Sequence, residues 1–219
     1  MKNWWWKILS ITLLFYTLLG GLLLEVPRLD ILNETIRNLY FHVPMWFSMQ
    51  VLLIISVVYS VRYLRKPSAD ADSWAEQTAQ VGTFFGVLGI LTGMLWAKFT
   101  WGSYWSNDPK QNAAAVALLI YFAYFLLRNS FEDSEQRGKI SAIYNIFAFA
   151  SYIPLIYIMP RLTSSLHPGN GGNPGFNAYD LDSKLRLVFY PAVLGWILLG
   201  VWISSLKVRL QKIENMQTA

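Results

Sequence analysis

Long apolar stretches alternate with short polar ones along the chain. Uncharged runs of the length that crosses a bilayer, roughly 17 to 25 residues as helix, cover Ile8 to Leu24, Val43 to Val61, Gln77 to Ala97, Gln111 to Leu127, Ile140 to Pro160 and Leu187 to Leu206. The connections between them are too short to hold a soluble domain. A helix satisfies its own backbone hydrogen bonds in lipid. The pattern therefore predicts an all-α, polytopic integral membrane protein, a six-transmembrane-helix bundle forming a single domain over residues 1–219.

Smaller patterns refine this. Between Pro27 and His42, Leu32, Ile36, Leu39 and Val43 recur at helical spacing while Asp30, Asn33, Glu34, Arg37 and Asn38 fill the other face, which predicts a short outer helix lying in the membrane interface. It leads to His42-Val43-Pro44, with Pro44 suited to the first turn of the second span. In the third run Gly82, Gly86, Gly89 and Gly93 fall on one helix face and invite close approach of another helix. Their expected role is packing, which would fix where the residues after them sit. The first run follows Lys2 and Lys7 as a signal peptide would. Its apolar core is longer than such a peptide's, Trp4 to Trp6 read as an interfacial anchor, and no small-residue cleavage site follows, so it is expected to be a retained span.

Composition agrees: 54% of residues are hydrophobic and 14% charged, with a mean hydropathy of +0.34, too apolar for an ordinary soluble domain. With the N-terminus inside, Lys2, Lys7, Arg62, Arg65, Lys66, Arg128, Arg137, Lys139, Lys207, Arg209 and Lys212 are cytoplasmic, against Arg28, Arg37, Lys98, Lys110, Arg161, Lys184 and Arg186 outside. That bias places both termini in the cytoplasm. The net charge of +5 largely follows from this topology and gives little support to nucleic-acid binding. The chain has no cysteine. Disulfides, thiolate metal sites and thioether attachment of haem are therefore excluded.

Three features then emerge on the outer side. His42 and His167, the two histidines of the chain, flank an aromatic run, Trp101-Gly102-Ser103-Tyr104-Trp105-Ser106-Asn107-Asp108-Pro109-Lys110. Imidazoles ligate transition metals and indoles pack on flat apolar groups, so the combination points to haem. Trp101, Tyr104 and Trp105 are spaced to form one aromatic surface on an interfacial helix or turn, although Trp and Tyr also collect in ordinary interfacial belts. Asp108 and Pro109 fit the cap and first position of the fourth helix, a structural role. Lys110, with Lys98, could pair with a carboxylate, and Arg161, Lys184 and Arg186 are further partners for anionic groups. His167 opens a run dense in turn residues, including Gly171 and Gly172; such a loop can fold over a ligand and reopen. A membrane cytochrome b that carries electrons, or a permease without haem, would use some of the same residues. The first usually buries its ligands within the bundle, and the second would show internal repeats or broken polar spans.

The aromatic run resembles the tryptophan-rich "WWD" signature of the haem-handling proteins of cytochrome c biogenesis, the CcmC, CcmF and CcsA types. His42-Val43-Pro44 and Leu166-His167-Pro168 are similar to the two flanking periplasmic histidines of the CcmC type, which six spans and a short length fit best. CcsA-type proteins carry further histidines within their spans. The loop itself leans toward the CcsA pattern, with Asn107 in place of a tryptophan and Gln111 in place of a glutamate. The resemblance implies a non-enzymatic protein of the bacterial cytoplasmic (inner) membrane that holds haem b noncovalently at the outer face and presents it to a periplasmic haem chaperone of the CcmE type. It implies CcmA and CcmB as ATP-driven partners and a small CcmD-like subunit. By the same likeness His42 and His167 would be axial ligands, Trp101, Gly102, Tyr104 and Trp105 would line the macrocycle, and Asp108 and Lys110 would complete the site, Lys110 at a propionate.

Overall fold

A computed structural model describes residues 4–28, 32–167 and 181–218, the side chains of Arg161 and Thr218 excepted. Asp30 and the Gly-rich run from Pro168, with Gly171 and Gly172, lie outside the described residues. The chain is helical throughout its described elements, and six helical stretches are long and apolar enough to cross a membrane. They are α1 (Trp5–Leu23), α2 (Leu39–Arg65), α3 (Ala69–Trp101), α4 (Pro109–Asn129), α5 (Ser134–Ile153) with its continuation, and α7 (Ser183–Thr218). Each contains or closely matches one of the apolar runs of the sequence. The bundle is built on α2, which packs against α3, α5 and α7, while α1 lies on α7 and α4 on α5.

Helix ends fall where the side chains and backbone dictate. Ser68 caps α3, accepting from the amide of Ala71 at 3.2 Å, and Asp133 caps α5, accepting from Gln136 at 2.6 Å. Nothing in the chain breaks α3 between Ser68 and Gly102, so it runs for 33 residues, about 50 Å at 1.5 Å per residue. It stops at Gly102, whose φ of +80° is left-handed. In α5, Pro154 brings a ring and no amide hydrogen. The ladder widens there into a π-helical turn over Pro154–Ile158, with the Met159 amide reaching back to the Pro154 carbonyl, before a short α6 (Met159–Leu162).

The predicted interfacial helix differs in kind. Asn33–Asn38 forms a 3₁₀ helix that runs directly into α2. Its apolar side packs on protein: buried Ile36 joins Tyr40, Leu181, Leu185, Val188 and Phe189 in one cluster with Leu32, Leu39 and Val43 against it. Arg37 ties the segment down, donating to the carbonyls of Gly21 (3.0 Å) and Leu24 (2.7 Å) and pairing with Glu34 at 2.7 Å. Helix α2 thus begins at Leu39, and Pro44 is inside it.

The two ends of the bundle carry different chemistry. At one end α3 starts and α4 finishes, and Arg128 forks onto Asp72 at 2.8 and 2.6 Å and reaches Glu76 at 3.0 Å. The opposite end holds His42, the aromatic run and His167.

Candidate functional site

His42 sits in the second turn of α2 and faces α3. The glycine stripe of α3 accommodates this approach: a Cβ added at Gly89 would stand 2.7 Å from the Trp46 ring, and one at Gly93 would stand 2.7 Å from Cε1 of His42. The imidazole is buried, 9% exposed, with Trp46 and Trp96 edge-on at 6.4 and 5.8 Å between ring centres. Trp96 is itself fixed by donating from Nε1 to the Thr35 hydroxyl at 3.0 Å.

The hydrogen bonds of this imidazole determine its tautomer. Nδ1 is 3.0 Å from the Gly89 carbonyl, a pure acceptor, and 3.2 Å from Oγ1 of Thr92. The Thr92 hydroxyl hydrogen is committed to the carbonyls of Leu88 (2.8 Å) or Gly89 (3.1 Å), so toward His42 it presents a lone pair. Nδ1 therefore carries the hydrogen and donates. Nε2 is left as the unprotonated, metal-competent nitrogen, and it has no hydrogen-bond partner among the described residues.

His167 reaches the same condition by another route. The loop after Gly102 returns to α4, where Asp108 caps the helix by accepting from the Lys110 amide at 2.9 Å, and Pro109 is the first helical residue. The cap does more than close the helix. Its carboxylate is buried, with the side chain 1% exposed. Besides Lys110 it accepts from Ser165 Oγ (3.1 Å), the Leu166 amide (2.7 Å) and His167 Nδ1 (2.9 Å). Burial opposes the charge on Asp108, but the Leu166 amide, the His167 imidazole, the Lys110 amide and the Ser165 hydroxyl outweigh it and hold the carboxyl below the usual carboxylate range. At His167 burial dominates and lowers the imidazole's basicity, against the pull of Asp108 and with the help of Lys110. Nδ1 of His167 thus donates to a carboxylate, and its Nε2 is again the nitrogen left for a metal. Ser165 lies on the Nδ1 side at 3.4 Å, so the Ser, His and Asp side chains do not form a nucleophile with its base.

Trp101, the last residue of α3, meets His167 edge-on at 4.9 Å. Trp101, Tyr104 and Trp105 do not stack into a single cluster of touching rings. Gly102 ends the helix, and among the described residues the three rings make no ring contact with one another. Trp105 donates from Nε1 to Asn112 at 3.2 Å, and exposed Tyr104 lies 5.7 Å from the Lys98 ammonium, which donates to the Gly102 carbonyl at 2.9 Å. Asn107 adopts a left-handed φ of +55°, and its carbonyl accepts from Asn112 at 3.2 Å. Gln111 binds back onto the loop as well, accepting from the Ser106 amide at 3.0 Å. The residues that depart from the CcsA pattern therefore brace the loop. Lys110 lies near enough to His167 for its charge to be felt there. Lys184 pairs at 3.7 Å with Glu25 on the surface, and Arg186 donates to the Leu181 carbonyl at 2.8 Å. Arg161 has no described side chain.

Sequence reasoning assigned the histidines and aromatics and read Gly89 as a packing position, but it did not foresee the carbonyl of Gly89 as the partner of His42 and gave no role to Thr92, Trp96 or Ser165. The i, i+3, i+4 relation of Gly89, Thr92 and Gly93 on α3 was the available signal: a hydroxyl flanked by glycines on one helix face is a place where a ring can lie and be hydrogen-bonded.

A bundle of membrane-spanning helices that carries two imidazoles and several indoles at one end defines a polytopic membrane protein with its candidate site at that end. The family model described as "Cytochrome C assembly protein" matches residues 3–167, and the chain belongs to that family. It is 28% identical over 195 residues to heme exporter protein C of Bradyrhizobium diazoefficiens, covering 85% of this chain and 73% of that protein. It is 23% identical over 184 residues to heme exporter protein C of Escherichia coli, covering 81% and 70%. Over 138 residues it is 33% identical to cytochrome c biogenesis protein CcsA of Pelargonium hortorum, 63% of this chain but 42% of that longer protein.

Proposed function

We propose that this protein binds haem b noncovalently between Nε2 of His42 and Nε2 of His167 at the outer end of the bundle, and delivers it for cytochrome c maturation. The observation that carries this reading is the pair of imidazoles at one end of the fold, each with Nδ1 committed to an acceptor and Nε2 uncommitted among the described residues. Each lies against an indole, Trp96 for His42 and Trp101 for His167. The donor chemistry suits haem in particular. Among the described residues no three His, Cys, Asp or Glu side chains gather as a metal site, whereas a porphyrin brings four nitrogens of its own and asks the protein for two. Bound haem would supply an iron centre to be passed on to an apocytochrome; the residues here hold and orient it.

The work divides between the two histidines. His42 is embedded in α2 and braced from α3, so it acts as the fixed ligand. His167 belongs to a loop joined to the aromatic loop through Asp108, and parting those contacts would withdraw the second ligand and expose a haem edge for transfer. Gly102, Tyr104 and Trp105 would border that edge and Lys110 would meet a propionate. The acceptor in this reading is a periplasmic haem chaperone of the CcmE type, with CcmA, CcmB and a small CcmD-like subunit as membrane partners in the cytoplasmic membrane. The role is binding and delivery, without catalysis.

The decisive experiment is a visible spectrum with pyridine haemochrome quantification on the purified full-length protein and on His42→Ala and His167→Ala. A b-type spectrum in the wild type, lost or altered in both variants, is expected. Absence of haem in every preparation, including after loading with hemin, would remove the central claim and favour a permease.

A further inference from the structure

The two imidazoles have unlike second partners. Nδ1 of His42 donates to a neutral carbonyl and faces a neutral hydroxyl, whereas Nδ1 of His167 donates to the carboxylate of Asp108 at 2.9 Å. That carboxylate is held in place from three other directions, by the Lys110 amide, the Leu166 amide and the Ser165 hydroxyl, so it can neither turn away nor be displaced by a small movement of the ring. We infer that Asp108 is a positioning residue for His167: it fixes the Nδ1–H tautomer and makes Nε2 of His167 a stronger electron donor than Nε2 of His42, which biases haem bound between them toward the ferric state.

The inference rests on the haem reading above and adds an asymmetry to it. A carboxylate drawing on the Nδ1 hydrogen raises the basicity of the opposite ring nitrogen, as it does for histidine ligands in other metal sites, and stronger axial donation stabilises the more highly charged iron. His42, lacking such a partner, is the weaker donor although it is the better buried. Asp108 also joins three chain segments, the aromatic loop, the start of α4 and the segment Ser165 to His167, so any change that releases its carboxylate loosens the ligand and the loop together.

Because Asn caps helices about as well as Asp, Asp108→Asn removes the charge while keeping the cap and a carbonyl oxygen that can still accept from Nδ1. Haem-loaded wild type, Asp108→Asn and Asp108→Glu, each as full-length protein, are compared by potentiometric titration followed by absorbance. We expect Asp108→Asn to gain about tenfold in preference for ferrous over ferric haem, a rise of ~59 mV for one electron, with Asp108→Glu recovering part of it. A haem-independent measurement, nitrogen NMR of ring-labelled histidine in the unloaded protein, is expected to show His167 as the Nδ1–H tautomer in wild type and as a mixture in Asp108→Asn, with His42 unchanged. Unchanged potential and unchanged tautomer, in protein whose spectrum depends on both histidines, would overturn the inference and leave Asp108 a helix cap. A wild-type spectrum insensitive to His42→Ala and His167→Ala would instead overturn the haem reading, and the tautomer of the unloaded protein would then decide whether Asp108 orients His167.

Discussion

A methyl group at Gly93 would stand 2.7 Å from Cε1 and 3.2 Å from Nδ1 of His42, closer than packed atoms tolerate. The neighbour is a ring, fixed by the Gly89 carbonyl and flanked by Trp46 and Trp96, and it has no flexible end that can move aside. Gly93→Ala is therefore expected to rotate or expel the imidazole, breaking the 3.0 Å bond to Gly89, and to reduce haem occupancy at least tenfold while the helical circular dichroism stays within a few per cent of wild type. Occupancy equal to wild type would show that His42 is not held where Gly93 admits it. The glycine stripe was legible in the sequence as a face for close packing. What fills the stripe was not, because it depends on the phase of α2, and that phase is set by a helix beginning at Leu39, ahead of Pro44. Starting the span at Val43, with Pro44 in its first turn, moved His42 out of the helix and hid its contact with Thr92.

At the scale of the element, the loop from Gly102 to Asp108 shows how local chemistry places a site. A Cβ at Gly102 would meet open space, but the backbone there has a φ of +80°, so an alanine meets strain and no clash. Gly102→Ala is expected to destabilise the protein by ~1 kcal/mol, read as a small downward shift of the thermal transition in detergent, and to disturb the contact of Trp101 with His167. A variant of equal stability would argue that the loop readily adopts another turn. The Asp-Pro cap of α4 was plain from two letters. The further duties of that aspartate were not, since its other partners, Ser165 and His167, are more than fifty residues away in sequence and nothing local connects them. In the same way the amphipathic pattern after Pro27 showed that one side of Asn33–Asn38 is apolar, without distinguishing a lipid surface from the start of α7, which is equally apolar.

For the molecule as a whole, the alternation of spans puts the chemistry of the two ends on opposite sides of one membrane. The end opposite the histidines carries the positive charge and its compensation: Lys7 lies over the rings of Trp4, Trp6 and Trp202 at 4.5, 5.7 and 5.2 Å, Lys207 donates to Gln80 and Lys212 pairs with Asp70, and Arg128 joins α3 to α4 through Asp72 and Glu76. Cationic loops are retained on the cytoplasmic side, so this end should be cytoplasmic and the histidine end outer. The order of spans and their even number were readable from apolar run lengths, because these depend on summed composition along the chain; the Lys and Arg counts add the expectation that the histidine end is the outer one. The chain contains no cysteine, so single cysteines can be introduced without first removing native ones. Ser103→Cys, on the exposed aromatic loop, is expected to react with a membrane-impermeant maleimide in intact spheroplasts, and Glu132→Cys, exposed between α4 and α5, only after permeabilisation. The reverse pattern would place both histidines in the cytoplasm, where haem binding by His42 and His167 could serve capture from the cytosol but not presentation to a periplasmic chaperone.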